Sequence, residues 1–511
     1  MKMERTKNAS RNIFFGIILK VYQVLVPFAM RTAMIYFMGV QYLGLNGLFT
    51  SILQVLNLAE LGVGSAMVFS MYEPVAEDDN VTICALLKLY KTYYSVIGSV
   101  IAIIGIAVTP LIPQLISGDA PAGMNIYILY LLNLGATVLS YWMFAYKSSI
   151  LQVFQRNDII SKVQLVTGSV QYLLQFLVLW LFRNYYLYVI VMLVTQTANN
   201  IITANVTSRF YPQYRPEGKL DSSEIKVIRQ RIKDLFTSKI GSVVVNSADT
   251  IVISAFLGLT VLAVYQNYYF ILTAIIGFIE VIFSACTAGI GNSLVTESKE
   301  KNFNDLKVFT FIIAWIAGFC TCCLLNLYQP FMKAWVGEGL MLDFTAVVCF
   351  CIYFMIYEIN RVLNTYKDAA GIWHKDRFRP LVTAMGNLGM NLVLVQFLGI
   401  YGVLLSTVLS TICVGMPWLL QNLFEEIFEK KNLGSYLKQL VAYIGVVFLV
   451  CVICYEICRF LCFSTVATIV VRLLVCCVVP NILFWTFYHR TEVFSDSLKL
   501  VRRIVGRKQN E

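Results

Sequence analysis

Stretches of about 20 mainly apolar residues, the length an α-helix needs to cross a hydrocarbon core of about 30 Å, recur along almost the whole chain. They are read near 13–38, 43–72, 90–116, 124–145, 159–182, 185–208, 238–257, 262–291, 303–328, 342–366, 378–398, 400–424, 436–462 and 465–488, about fourteen in all. Barrel strands would be shorter and would alternate; runs such as Val96 to Val108 do not. Only 14% of the 511 residues are charged and 58% are apolar, with a mean hydropathy of +0.71. That leaves too few polar side chains to cover soluble cores of this size. The composition excludes a soluble enzyme, a disordered chain and a disulfide scaffold, and predicts an all-α polytopic membrane protein. The apolar run after Arg11 carries Lys20 and Arg31 and lacks a small-residue cleavage site, so it reads as a first span rather than a signal peptide.

The basic residues orient the spans. With the N-terminus on the cytoplasmic side, the loops 1–12, 73–91, 146–162, 209–239, 292–307, 366–379, 424–438 and 489–511 hold 33 of the 40 Lys and Arg. The opposite loops hold three, Arg183, Lys333 and Arg459. So uneven a division is a positive-inside signal. It places both termini in the cytoplasm and explains most of the net charge of +11 without invoking nucleic acid. The outer loops, such as Gly39 to Tyr42 and Gly258 to Val261, are too short to house a catalytic domain.

The longest cytoplasmic connection, 209–237, divides the chain. Asp221 with Glu224 offers a capping box, and Ile225, Ile228, Ile232 and Leu235 form one face with Lys226, Arg229, Arg231 and Lys233 mostly off it. This predicts a basic amphipathic linker helix suited to a membrane surface. The expected organisation is an N-lobe of six spans over 1–208, the linker, a C-lobe of six spans over 238–424, two further spans over 425–488, and a basic cytoplasmic tail over 489–511. Two six-span lobes suggest a pseudo-two-fold repeat, common in transporters. Its faint trace is Tyr42-Leu43-Gly44-Leu45 before span two and Phe256-Leu257-Gly258-Leu259 before span eight.

Charges inside the bilayer are costly and mark cavities, partners or pathways. Lys20 and Arg31 lie eleven residues apart on the first span, three turns and about 16 Å along one stripe. Such a pair suits a phosphate group; the alternative is that each snorkels to an interface. Lys239 opens span seven and suits an anionic headgroup. Glu60 within Asn57-Leu58-Ala59-Glu60-Leu61-Gly62, Asp249 in span seven and Glu280 in span eight are deep acids. Each reads either as a cation or proton site or as a structural partner. Glu358 and Arg361 are spaced to pair within span ten. The cysteines lie almost all in apolar segments, Cys320, Cys322 and Cys323 in one span and Cys451, Cys454 and Cys458 in another. They read as buried small hydrophobes, and no metal site is expected. No P-loop, HExxH or suitably placed GxSxG motif occurs, so the chain is not expected to be an enzyme.

Several blocks carry a resemblance: Tyr42 to Phe49, Leu58 to Ala66, Tyr72 to Glu77, Val245 to Thr250 and Ile253 to Thr260. They resemble the Wzx-type polysaccharide and O-antigen flippases of the multidrug/oligosaccharidyl-lipid/polysaccharide exporter superfamily. The resemblance implies a bacterial inner-membrane transporter that carries undecaprenyl-diphosphate-linked oligosaccharide from the cytoplasmic to the outer leaflet, for cell-surface polysaccharide synthesis. By that likeness Lys20 and Arg31, and less directly Arg361 and Lys239, would bind the diphosphate. Glu60, Asp249 and Glu280 would be candidates for coupling to a proton or sodium gradient, with no other cofactor. Membrane lipids, a polysaccharide polymerase and glycosyltransferases are the implied partners. Two alternatives stand beside it: a cation-coupled multidrug exporter of the same superfamily, and a membrane-embedded polysaccharide polymerase.

Overall fold

A computed structural model describes residues 5–118, 120–121, 123–461 and 463–506. Among them no strand occurs. The helices are α1 (Arg5–Phe37), α2 (Val40–Leu56), α3 (Val63–Ala76), α4 (Asn80–Val108), α5 (Ile126–Trp142), α6 (Ser148–Val153), α7 (Asn157–Leu181), α8 (Tyr185–Phe210) and α9 (Ser222–Thr296). They continue as α10 (Lys299–Val336), α11 (Phe344–Ala369), α12 (Trp373–Asp376), α13 (Arg379–Leu398), α14 (Ile400–Ser410), α15 (Met416–Glu426), α16 (Leu433–Arg459), α17 (Thr465–Tyr488) and α18 (Glu492–Gly506).

Twelve helical stretches among the described residues are long and apolar enough to cross a membrane, thirteen if the bent α5–α6 pair is one crossing. One of the twelve, 243–296, has 54 residues, about 80 Å of helix and more than twice a hydrocarbon core. Gly258, with φ 87° and ψ 171°, breaks α9 near its middle and so divides this stretch. Counted as two crossings there, and with α5–α6 as one, the described residues make the fourteen that the hydropathy predicts. It is a multi-pass membrane protein.

Local chemistry sets the helix ends. Asp79 caps α4 through hydrogen bonds from the backbone N–H of Val81 (3.0 Å) and Thr82 (3.1 Å). The Thr82 side chain, then these backbone donors, hold the Asp79 carboxyl below the usual carboxylate range. Asn125 caps α5, Ser298 caps α10 and Asp343 caps α11 in the same manner.

The chain forms two compact units, 1–263 and 264–511. In the first, α1 packs on α7 and α7 on α8, while α5 lies between α4 and α8. The N-terminal half of α9 also belongs to this unit. Its linker portion does not lie free: Ile228 is buried, and Arg231 donates to Ser70 Oγ at 3.0 Å and sits over the Phe69 ring. Part of the apolar face expected at a membrane surface, Ile232 and Leu235, lies instead against Gly62 just before α3. Gly44 on α2 lies so close to Leu259 that a Cβ there would overlap the Leu259 carbonyl. The two Leu-Gly-Leu traces of the repeat therefore meet each other.

In the second unit α10 is the hub, packed by α11, α16, α17 and α18. At one end of the α13–α15 group, Arg379 holds Asp376 through two bonds of 2.7 Å, with Asn364 and Asn422 completing a buried polar network. The end of the basic tail, 507–511, lies outside the described residues.

Candidate functional site

The second span does not run as one helix. Asn57–Glu60 tightens into a 3-10 turn, and Gly62 follows with φ 88° in the left-handed region. Only glycine takes that conformation without strain. A Cβ at Gly62 would also come within 2.7 Å of Leu235 Cβ and within 3.1 Å of the Ile232 carbonyl. The break is thus backed by the linker portion of α9.

At this break Glu60 meets a group of phenols. Tyr90 Oη donates to Tyr94 Oη (2.8 Å), and Tyr94 Oη donates to Glu60 Oε1 (3.1 Å). The Tyr141 ring stands edge-on to Tyr94 at 5.3 Å, and its hydroxyl donates to Asn57 Oδ1 at 3.3 Å. Gly64 leaves room for the cluster, since a Cβ there would lie 3.0 Å from Tyr90 Oη. A cavity of about 230 Å³ adjoins it, lined by Ala59, Val63, Tyr93, Val96, Ile97, Arg229 and Ile232. A carboxylate at the end of a phenol chain can accept a proton or a small cation and pass the change along hydrogen bonds.

The other expected residues of the first unit lie elsewhere. Lys20 is exposed on α1, and Arg31 is half-buried on the same helix, which runs on through Pro27. Arg31 is within electrostatic reach of Tyr188, whose ring stacks on Tyr185 at 5.7 Å. Asp249 is buried on the half of α9 that packs with the first unit. Lys239 is on the same half, and its side chain lies outside the described residues.

In the second unit the structure joins two residues that the sequence reading kept apart. Arg361 on α11 forms an ion pair with Glu280 on α9, and its guanidinium lies 5.8 Å from the Phe283 ring centre. The local Glu358–Arg361 pair suggested by spacing is replaced by this interhelical one. Glu358 is 1% exposed, and neither carboxylate oxygen has a hydrogen-bond partner. Separately, α10, α11 and α16 border an apolar groove of about 350 Å³, lined by Leu325, Val348, Ile352, Val447, Phe448 and Val452 among others.

The phenols around Glu60 and the partner of Arg361 escaped the sequence reading. A tyrosine one turn from another, Tyr90 and Tyr94, was the available signal.

No protein-family model matches the sequence, and no curated protein matches it. Solved structures do match. The lipid II flippase MurJ in its inward closed conformation is 14% identical with a TM-score of 0.62, over 93% of this chain and 99% of that one. An inward-facing multidrug resistance MATE family transporter of the MOP superfamily is 14% identical with a TM-score of 0.60, over 80% of this chain and 97% of that one. A MOP superfamily transporter from Pyrococcus furiosus, described by the reverse polarity of its binding pocket, is 12% identical with a TM-score of 0.53, over 82% and 96%. At these identities the likeness speaks to architecture, and the chain has the fold of the MOP-superfamily transporters.

Proposed function

We propose that this protein is a transporter that flips an undecaprenyl-diphosphate-linked oligosaccharide from the cytoplasmic to the outer leaflet by alternating access, for cell-surface polysaccharide synthesis. The observation that carries the reading is the extent of the match to the lipid II flippase. Residues 1–426, through the twelfth crossing, are about 83% of the 511-residue chain. A match over 93% is more than the first twelve crossings can supply, whereas the MATE match covers 80%. Lys20 and Arg31 on one stripe of α1 supply the positive charge that a diphosphate needs in place of water. Arg361, tied to Glu280, and Lys239 are secondary diphosphate candidates. The apolar groove beside α16 suits a polyprenyl chain.

A second reading is a multidrug exporter driven by a cation gradient. It is favoured by the acid at the break in span two, because a carboxylate among phenols suits cationic cargo or a coupling ion. Glu60, Asp249 and Glu280 are the coupling candidates under either reading.

Reconstitution in liposomes separates the two. Fluorescent undecaprenyl-diphosphate-sugar in one leaflet should become accessible in the other, and Lys20→Ala with Arg31→Ala should slow this at least about tenfold, the effect of roughly 1.4 kcal/mol. Unchanged flipping in the double variant removes the diphosphate assignment. No flipping, together with ethidium efflux that Glu60→Gln abolishes, replaces the flippase with the exporter.

A further inference from the structure

Six cysteines from three helices converge in the second unit. Cys454 and Cys458 stand one turn apart on α16, Cys476 faces them from α17, and their Sγ atoms all lie within 4.8 Å of one another. All three are fully buried. Cys323 on α10 packs against the group. Cys322 and Cys451 lie alongside, with their sulfurs 3.2 Å apart.

We propose that Cys454, Cys458 and Cys476, with Cys323 as the fourth ligand, form a site for a thiophilic divalent d10 cation, zinc(II), that fastens α16 and α17 to α10. Geometry is the first argument. Tetrahedral coordination with Zn–S bonds of about 2.3 Å separates neighbouring sulfurs by about 3.8 Å. Cys454 Sγ and Cys476 Sγ are 3.8 Å apart. The trio needs adjustments of an ångström or less to surround one ion.

The surroundings are the second argument. Buried thiols that merely fill space want apolar neighbours, yet these have polar ones. Asn326, itself 1% exposed, directs its side-chain N–H to Cys454 Sγ at 3.7 Å while holding the Cys322 carbonyl at 2.8 Å. Amide donors to ligating sulfur are the usual outer shell of a thiolate site. Arg472, one turn before Cys476 on α17, lies within electrostatic reach of Cys458 and reaches the Asn326 carbonyl at 3.4 Å.

Charge selects the ion. Four thiolates around a divalent cation leave two negative charges, of which Arg472 offsets one. A monovalent soft ion such as copper(I) would leave one more negative charge uncompensated, costly in a low-dielectric interior. As each Zn–S bond forms, its thiol releases one proton to solvent. Because the sulfurs are buried, the ion enters while the helices assemble.

Tag-free full-length protein from zinc-supplemented cells, purified in detergent without chelator, should carry about one zinc per chain by elemental analysis. Cys454→Ala/Cys458→Ala/Cys476→Ala should lose it, while Cys413→Ala/Cys477→Ala should keep it. If the triple variant fails to fold, the wild-type chain from cobalt-grown cells decides. Tetrahedral thiolate ligation gives intense sulfur-to-cobalt absorption near the ultraviolet and d–d bands in the visible. Zinc below about 0.1 per chain with no such bands overturns the site, and copper retained in preference to zinc overturns the charge argument.

Discussion

Arg361 has two carboxylates in range of its helix, Glu358 three residues before it and Glu280 on α9, and it pairs with Glu280. Both partners are about one third exposed, 32% and 40%, and the contribution of so open a pair is about 1 kcal/mol or less. Its larger role is to fix which faces of α9 and α11 meet. Arg361→Ala and Glu280→Ala should each lower the melting temperature in detergent by a degree or two, and the swap Glu280→Arg/Arg361→Glu should regain most of the loss. A swap no more stable than either single variant would show that the charges do not act together. This pairing was beyond the sequence for a physical reason. Spacing reveals only neighbours on the same helix, and Arg361 and Glu280 are 81 residues apart (361 − 280). The phenols around Glu60 were hidden likewise: Tyr94 and Tyr141 come from α4 and α5. The intramembrane charges themselves were legible, because an ionisable residue in a long apolar run stands out in one dimension. The thiol group on α10, α16 and α17 was not, because its members are separated by as many as 153 positions (476 − 323).

At the scale of elements, the break in the second span shows how one residue serves two requirements. Gly62 takes a left-handed backbone and lets α9 approach within contact of its own backbone. Gly64, two residues on, has ordinary helical geometry, and a Cβ there would meet side-chain ends, those of Tyr90, Glu60 and Tyr94, rather than backbone. Gly62→Ala should therefore cost about 1–2 kcal/mol from the left-handed conformation alone, and more from the clash with Leu235. Gly64→Ala should cost less. Thermal unfolding of the two variants in one detergent checks the order, and a smaller loss at Gly62 would mean that the break is not held by α9. Two glycines in three residues, Gly62 and Gly64, are visible in the sequence, whereas the helix that backs the break is not. The linker illustrates the same limit. Its amphipathic pattern correctly marked an apolar face, but a moment on a helical wheel does not distinguish a lipid surface from another part of the same chain.

For the whole molecule, the count of crossings decides on which side each loop lies. An unbroken α9 that crossed once would put every later loop on the opposite side from the one the basic residues demand. The joining of α5 with α6 into one crossing keeps Lys219 on the side of the N-terminus, and the turn at Gly258 keeps Lys499 there as well. Lys219 is exposed in the connection between α8 and α9, where trypsin can reach it. In inside-out vesicles trypsin should cut there and split the chain into two fragments of similar size, and it should also trim the tail at exposed Arg490. In right-side-out vesicles both sites should survive, and the accessible basic residues should be Arg183, Lys333 and Arg459, the latter two 51% and 68% exposed. The two sites report on different parts of the count. Cleavage of Lys219 from inside but Arg490 from outside would mean an odd number of crossings after the linker, and α9 would not turn at Gly258. Both sites open only from outside would invert the whole chain, and the charge asymmetry would then require an explanation other than insertion.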